Sequence, residues 1–174
     1  MRFSSRIVNS AARGTQLGFA VLISFASAMA STGLLHPSSA VFGALWASIS
    51  AIVVLQSDVS ATGSAARLRV WGTVVGALVS GVYLLLLPFT LAGLAVCVGL
   101  AVFGATWLNH GDGGRLAAIT VTVIMLQGEM NPGQNPLLTV GMRFFEACLG
   151  AVAAVLVSWA WMRGAKMFEK EPIQ

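Results

Sequence analysis

Long apolar runs, broken by short polar turns, fill most of the chain. A helix needs about 20 apolar residues to cross about 30 Å of hydrocarbon, and most of the runs are close to that length. The expected spans are 14–35, 38–55, 70–87, 89–108, 116–126 and 144–162. Backbone groups in lipid must form hydrogen bonds within their own segment, and the short alternating segments of a β-barrel are not seen. The pattern therefore predicts an all-α integral membrane protein with six transmembrane helices.

Residues that favour turns stand between these runs and support the boundaries. The turn segments are 36–39, 57–64, Pro88, 110–114 and 131–136. The fifth span is the shortest, and Arg115 stands directly before it. Its assignment therefore depends more on the turns at its two ends than on its own length.

Basic residues are concentrated on one side of this six-span arrangement. With the N-terminus inside, the cytoplasmic segments hold Arg2, Arg6, Arg13, Arg67, Arg69, Arg115, Arg163, Lys166 and Lys170, and only Arg143 is outside. Because cytoplasmic loops carry the excess of Lys and Arg, both termini are expected in the cytoplasm of a bacterial inner-membrane protein. The basic start could belong to a signal peptide, but membrane sequence follows Ala28-Met29-Ala30 directly, so we expect a retained helix.

The expected organisation is a cytoplasmic segment at 1–13, a six-helix membrane domain at 14–162 and a cytoplasmic tail at 163–174. Composition agrees, with 57% hydrophobic and 9% charged residues and a mean hydropathy of +0.84. The excess of basic residues on the cytoplasmic side explains the basic pI of about 9.8. The sequence shows no basic groove with interleaved aromatic residues, so nucleic-acid binding is not expected. No soluble segment is long enough for a catalytic domain, so neither an enzyme nor a cofactor is expected.

The cysteines and histidines give little sign of chemistry. Cys97 and Cys148 lie inside apolar runs, where a cysteine is most often a small packing residue. His36 and His110 lie in turns without a cluster of ligands at metal-binding spacing. Asp112, two residues after His110, leaves a weak metal alternative, but no metal site is expected.

Two stretches of the chain resemble each other and suggest an internal repeat. Arg69 stands seven residues before the Gly76-Ala pair, and Arg143 stands seven residues before the Gly150-Ala pair. A Leu-Gln dipeptide ends the second and fifth spans, although its distance from the following Arg differs between the two copies. A three-helix unit repeated once must be inverted in the bilayer, and such repeats often form a transport site where they meet. We predict two inverted three-helix repeats, with chance similarity as the alternative.

Small residues at four-residue spacing indicate close helix packing. Gly14 and Gly18 have this spacing in the first span, and Gly72, Gly76 and Ser80 have it in the third. Small side chains let helix backbones approach closely in lipid. We therefore expect the third helix to be buried, with its glycines as packing residues.

Polar residues at helix ends form the candidate site. Gln56, Asp58, Arg67 and Arg69 are expected at the inner end of helices two and three. Gln127, Glu129, Arg143 and Glu146 are expected at the outer end of helices five and six. Charges within a membrane are costly and usually face a partner or a water-filled cavity. The alternative for the arginines is that they extend to lipid headgroups.

Glu146 is the acidic residue hardest to explain as a surface group. It lies about one turn into its helix and three residues after Arg143, so the two side chains share a face. It is either the ion partner of an arginine or a carboxyl group that carries protons.

The stretches Ala44–Thr62 and Ala66–Ala77 resemble the signature of the fusaric acid resistance and aromatic acid exporter superfamily. The shared features are a Trp-bearing second helix that ends in Val-Val-Leu-Gln, followed by an Arg before Gly-Thr-x-x-Gly-Ala. The stretch from Arg143 to Gly150 is similar to the last helix of that family, and the resemblance covers roughly residues 10 to 162. It implies an inner-membrane six-helix bundle associated with efflux of organic acids. Many members join two such bundles and add a cytoplasmic domain, so a single bundle implies self-association, with a homodimer favoured.

The resemblance implies an exporter of organic anions, with aromatic carboxylates as the favoured class and proton coupling as an option. Arg69, Arg143, Gln56 and Gln127 are the predicted substrate-binding residues. Glu146 and then Asp58 are the predicted proton-coupling residues. Two alternatives stay open at this point, a passive organic-anion channel and a non-transporting assembly subunit. The expected partners are the lipid bilayer, a small organic anion and a second copy of the chain, with no nucleic acid.

Overall fold

The computed structural model describes residues 2–108 and 113–168, and α-helices form most of that length. The helices are α1 (Arg2–Leu35), α2 (Ala40–Val54), α3 (Val59–Leu86), α4 (Leu91–Trp107), α5 (Gly113–Met130) and α6 (Pro136–Phe168), with a short 3-10 turn at Pro37–Ser39. The all-α class and the six helices are confirmed for these residues. The expected turn residues His110 and Asp112 lie outside the described ranges.

Four helical segments in the described ranges are long and apolar enough to cross a membrane. They are Ser10–Leu35, Pro37–Val54, Val59–Leu86 and Pro136–Gly164. The apolar helix α4 has 17 residues, or about 26 Å at 1.5 Å per residue, slightly less than the hydrocarbon thickness. Helix α5 has 18 residues but includes Arg115 and Glu129, which lower its hydropathy. Crossing by α4 and α5 therefore stays a prediction.

Several predicted boundaries are wrong because capping side chains start helices earlier than hydropathy indicates. Helix α3 begins at Val59, so the turn expected at 57–64 ends at Asp58, whose carboxylate accepts a hydrogen bond from the Ala61 N–H at 2.8 Å. Helix α6 begins at Pro136, and the Asn135 side chain accepts from the Leu137 N–H at 2.9 Å. Proline suits the first helical position because that position needs no backbone donor.

The chain divides into two compact units. Unit one combines residues 1–66 with 149–174, so it contains α1, α2, the start of α3 and most of α6. Unit two is residues 67–148, with α4, α5, most of α3 and the start of α6. Each unit therefore contains one helix pair and parts of both α3 and α6, whereas a division by sequence triplets would keep α3 and α6 whole.

Each unit has its own small-residue core. In unit one, α1 packs on α2, and the core cluster consists of Ala20, Ala51, Val54, Ala151, Ala154 and Val157. In unit two, α4 packs on α5, and the core cluster consists of Cys97, Ala101, Ala105, Ala117, Val121 and Met125. Cys97 is a buried packing residue, as its sequence context indicates. These short side chains allow close helix contacts where lipid provides no hydrophobic drive between helices.

The glycines of α3 pack as the sequence predicts, whereas those of α1 do not. A Cβ atom at Gly72 would lie 2.7 Å from the Leu116 Cβ, and one at Gly76 would lie 2.6 Å from the Ala117 carbonyl oxygen. Helix α3 therefore approaches α5 at distances that only glycine allows. Gly14 and Gly18 have no described atom within 4 Å of such a Cβ, so their spacing does not mark a helix contact here.

Candidate functional site

Four of the six predicted site residues are buried in unit two. Arg69, Arg143 and Glu146 are 0% exposed, and Gln127 is 5% exposed. We call these four the buried polar set. Headgroup contact by long side chains, the alternative reading for Arg69 and Arg143, requires exposure that neither side chain has.

Arg143 and Glu146 form an ion pair on one face of α6. The Arg143 Nη2 donates to the Glu146 Oε1 at 2.9 Å, and the Nη1 lies 2.8 Å from the Oε2. Removing two such charges from water costs several kcal/mol for each ion, which only close pairing offsets. The structure therefore shows Glu146 as the ion partner of an arginine, one of the two roles the sequence left open.

Arg69 lies well inside its helix rather than at the helix end. Because α3 begins at Val59, Arg69 is ten residues from the helix start, or about 15 Å along the axis. Its guanidinium lies close enough to the Cys148 thiol of α6 for an electrostatic interaction. Cys148 follows Arg143 by five residues, or about 7.5 Å of helical rise. Arg69 of α3 therefore approaches α6 about one to two turns along from Arg143.

Gln127 contributes a polar group that has no hydrogen bond within the described residues. It lies in the last turn of α5, and its backbone carbonyl accepts from the Asn131 backbone at 3.0 Å and the Asn131 side chain at 3.2 Å. Its side-chain Oε1 is buried and has no hydrogen-bond partner among them. A buried amide in this state is costly and can accept a bond from a ligand or water.

Gln56 and Asp58 are exposed and belong to unit one, so they are not part of the buried polar set. The Gln56 backbone N–H donates to the Thr62 hydroxyl at 3.1 Å, and its side chain donates to the Val53 carbonyl at 3.2 Å. Asp58 caps α3 through Ala61. Both residues shape the turn between α2 and α3. Their predicted roles in binding and proton coupling stay untested.

Sequence reasoning missed an open cavity of about 400 Å³ in unit one. Its lining includes Arg13 and Gln16 of α1, Asp58 before α3, and Ser158 and Trp161 of α6. The available signal was Gln16, a polar residue within the first apolar run and three residues after Arg13. That spacing places both side chains on one face of a helix.

The described residues contain no group of three or more His, Cys, Asp or Glu side chains that could hold a metal ion. Cys97 and Cys148 are free thiols. The buried polar set itself offers guanidinium, carboxylate and amide groups, which can form ion pairs and hydrogen bonds.

Comparison with known families decides the class of the protein. The model of the family described as fusaric acid resistance protein-like matches residues 27–157, which is more than half of the chain. The chain belongs to this family. The match includes all four residues of the buried polar set, together with Gln56 and Asp58. Comparisons with curated proteins and with solved structures each found no match.

Membership in the fusaric acid resistance protein-like family confirms the resemblance seen in the sequence. It indicates a membrane protein with a role in transport or efflux, which fits the long apolar helices. Membership fits a protein without enzymatic chemistry.

Proposed function

We propose that this protein exports small organic anions, with aromatic carboxylates as the favoured class, across the bacterial inner membrane. Both termini face the cytoplasm in this proposal, because that topology keeps nine of the ten basic residues inside. One observation carries it. The fully buried charged side chains in the described ranges are two guanidinium groups, Arg69 and Arg143, and one carboxylate, Glu146.

The buried set brings two guanidinium groups and one carboxylate into a segment expected to lie in the membrane. Charged side chains in such segments usually mark a substrate or ion pathway. Arg143 forms an ion pair with Glu146, and we assign the fully buried Arg69 of α3 to the substrate carboxylate. A planar guanidinium can hold a carboxylate with two parallel hydrogen bonds.

The ion pair bears on how transport is driven. The ion pair of Glu146 with Arg143 favours a positioning role for Glu146 over that of a proton carrier. Protonation of Glu146 would make the site more positive and strengthen anion binding. A proton carried on Glu146 would therefore move in the same direction as the anion, and not in exchange for it. An anion leaving a negative cytoplasm gains about 2.3 kcal/mol per 100 mV. We therefore propose that the membrane potential drives export, with proton coupling as the outcome that would correct this choice.

The test is transport by the purified protein in proteoliposomes, with radiolabelled benzoate and a potassium-diffusion potential. We expect benzoate movement to follow the potential and to fall at least about tenfold in Arg69→Met, the loss expected for one charge-assisted contact. Arg67→Met is the matched control, because Arg67 lies two residues earlier and is exposed. An Arg69→Met protein with the wild-type rate would contradict the proposal.

The same preparation distinguishes the alternatives. Single-channel conductance in planar bilayers would show a passive channel. A purified chain that moves no benzoate, and regains transport only with another protein, would be an assembly subunit. Light scattering of the purified protein measures the number of chains per particle, for which a dimer stays our prediction.

A further inference from the structure

We propose that the cavity of unit one is a binding site for small aromatic carboxylates. The site involves Arg13, Gln16 and Trp161, none of which belongs to the buried polar set. This inference rests on the proposed function, because it names a place where the exported anion is first held. Its volume of about 400 Å³ lies within the usual range for small-ligand sites and suits an acid of one or two rings.

Gln16 is the strongest sign that the cavity takes a ligand. Gln16 is a polar residue that is only 9% exposed and lines the cavity. A ligand carboxylate in the cavity can accept a hydrogen bond from the Gln16 amide in place of water.

Arg13 supplies the charge. It lies one helical turn before Gln16, is exposed, and forms no ion pair within the described residues. Its guanidinium is therefore available to an anion at the mouth of the cavity. Charged hydrogen bonds of this kind are about twice as strong as neutral ones.

The wall of the cavity supplies the aromatic and hydroxyl contacts. Trp161 and Met162 of α6 offer apolar surface against which a ring can pack. Ser158 lies one turn earlier, is 3% exposed, and accepts a long hydrogen bond of 3.4 Å from Thr62. The combination of a cation, an amide, a hydroxyl group and an indole ring favours an aromatic acid over a simple inorganic anion.

Asp58 carries a negative charge that opposes anion binding, and its replacement therefore tests the proposal. Its Oδ1 accepts from the Ala61 N–H, so the N-terminus of α3 partly neutralises the carboxylate. The remaining charge still repels an anion. Asp58→Asn keeps a capping side chain and removes the charge, so it should tighten anion binding by a few fold, whereas a zwitterionic ligand would bind more weakly.

The location fits capture before export. Arg13 opens the first span, Asp58 lies in the turn before α3, and Trp161 lies near the end of α6. All three positions are on the cytoplasmic side in the topology that the basic residues favour. An anion held there is at the side from which export begins.

The test measures binding of tritiated 2-naphthoate to the protein in phosphatidylcholine nanodiscs. Arg69→Met serves as the background, so that the buried polar set does not contribute. We expect Arg13→Gln and Gln16→Leu to weaken binding by about tenfold or more each, as for one lost charged contact. Arg115→Gln, another exposed arginine expected on the same side, should leave it unchanged.

Charge and aromatic contact are tested separately. The neutral analogue 2-naphthamide should compete poorly, and Trp161→Leu should weaken 2-naphthoate binding, whereas Trp107→Leu, at an exposed tryptophan of unit two, should not. The proposal is overturned if neither Arg13→Gln nor Gln16→Leu changes the affinity for 2-naphthoate. A second result would also overturn it. If phosphatidylglycerol displaces naphthoate from the Arg69→Met protein but not once Arg13→Gln is added, the cavity is a lipid headgroup site.

The two proposals can fail independently. If the Arg69→Met protein binds naphthoate in the cavity but the wild type transports no benzoate, the cavity site stands and the export function falls. If the wild type transports benzoate but the cavity binds no naphthoate, this inference alone is wrong.

Discussion

Gly76 of α3 and Gly150 of α6 occupy corresponding positions in two separate helix crossings. A Cβ at Gly76 would meet the Ala117 carbonyl oxygen and, three residues on, the Thr120 Cβ of α5. A Cβ at Gly150 would meet the Ala47 carbonyl oxygen and, three residues on, the Ser50 Cβ of α2. Each glycine stands seven residues after a buried arginine.

These matching contacts support the predicted repeat, in which α3 corresponds to α6 and α2 to α5. They also fit the composition of the units. Unit one joins α1 and α2 to most of α6, and unit two joins α4 and α5 to most of α3. Each third helix therefore packs largely with the helix pair of the other repeat. Inversion of the two copies across the membrane stays a prediction.

The glycine crossings predict a strong dependence on residue size. In Gly150→Ala the new methyl group would overlap the Ala47 backbone, which cannot move without shifting α2. We expect a loss of about 1–3 kcal/mol in the free energy of unfolding, as for other overpacked cores, and a larger loss in Gly150→Val. The measurement is equilibrium unfolding in detergent.

Gly99→Ala is the matched control for this substitution. Gly99 lies within α4 and has no described atom within 4 Å of a new Cβ. Alanine favours the helix over glycine by about 1 kcal/mol, so this variant should be neutral or more stable. Equal destabilisation by the two substitutions would contradict the close crossing at Gly150.

The buried ion pair predicts strong coupling between Arg143 and Glu146. Removing either partner leaves an uncompensated charge, so Arg143→Met and Glu146→Gln should each cost about 3–5 kcal/mol of stability. The double variant Arg143→Met/Glu146→Gln should recover much of the loss, because it buries no charge. Unfolding of the four proteins forms a double-mutant cycle. Additive losses would mean that the two side chains do not stabilise each other.

The role of Glu146 in transport is tested by the pH dependence of benzoate movement. A proton carrier replaced by Gln would lose any dependence on an imposed pH gradient. If Glu146 is only a charge partner, Glu146→Gln should lower the transport rate and leave its dependence on the pH gradient unchanged. We expect the second result, with the rate measured at equal membrane potential. A response to the pH gradient that is present in the wild type and absent in Glu146→Gln would restore the proton-carrier role.

Asp58 should act through helix capping. Replacing a capping Asp with Ala costs about 0.5–2 kcal/mol, whereas Asn keeps most of the effect. We expect Asp58→Ala to lose about 1 kcal/mol of stability and Asp58→Asn to stay near the wild type. Chemical unfolding monitored by circular dichroism measures both. If Asp58→Asn instead removes a pH dependence of transport, the predicted proton-coupling role of Asp58 gains support.

Sequence patterns predicted the features that depend on local spacing. The three-residue spacing of Arg143 and Glu146 is enough to place them on one helix face, and they pair. The four-residue spacing of Gly72 and Gly76 marked a true helix contact. The same spacing at Gly14 and Gly18 did not, because spacing reports which face a residue is on and not what lies opposite.

Features that depend on capping or on distant segments could not be predicted. Hydropathy placed the start of the third span at Val70 and Arg69 just outside it. The Asp58 cap starts α3 eleven residues earlier, so the buried Arg69 lies well inside that longer helix. The cavity of unit one was missed because its walls come from α1, the turn before α3 and the end of α6.

The six-crossing topology predicts which turns can be labelled from outside. Single cysteines at Pro88, Arg115 and Gly133, in a Cys97→Ala/Cys148→Ala background, test the two short helices. All three positions are exposed. If α4 and α5 each cross the membrane, a membrane-impermeant maleimide added to intact spheroplasts should label Pro88→Cys and Gly133→Cys. Arg115→Cys should react only after permeabilisation.

A different pattern would follow if α4 and α5 enter and leave on one side. Arg115→Cys would then be labelled from outside together with the other two positions. The basic side chain at Arg115 argues against this, because moving it outside would weaken the inside bias of the chain. Ser57→Cys, in the turn between α2 and α3, is the internal control and should stay protected in intact cells. Labelling of Ser57→Cys from outside would reverse the whole topology and, with it, the proposed direction of transport.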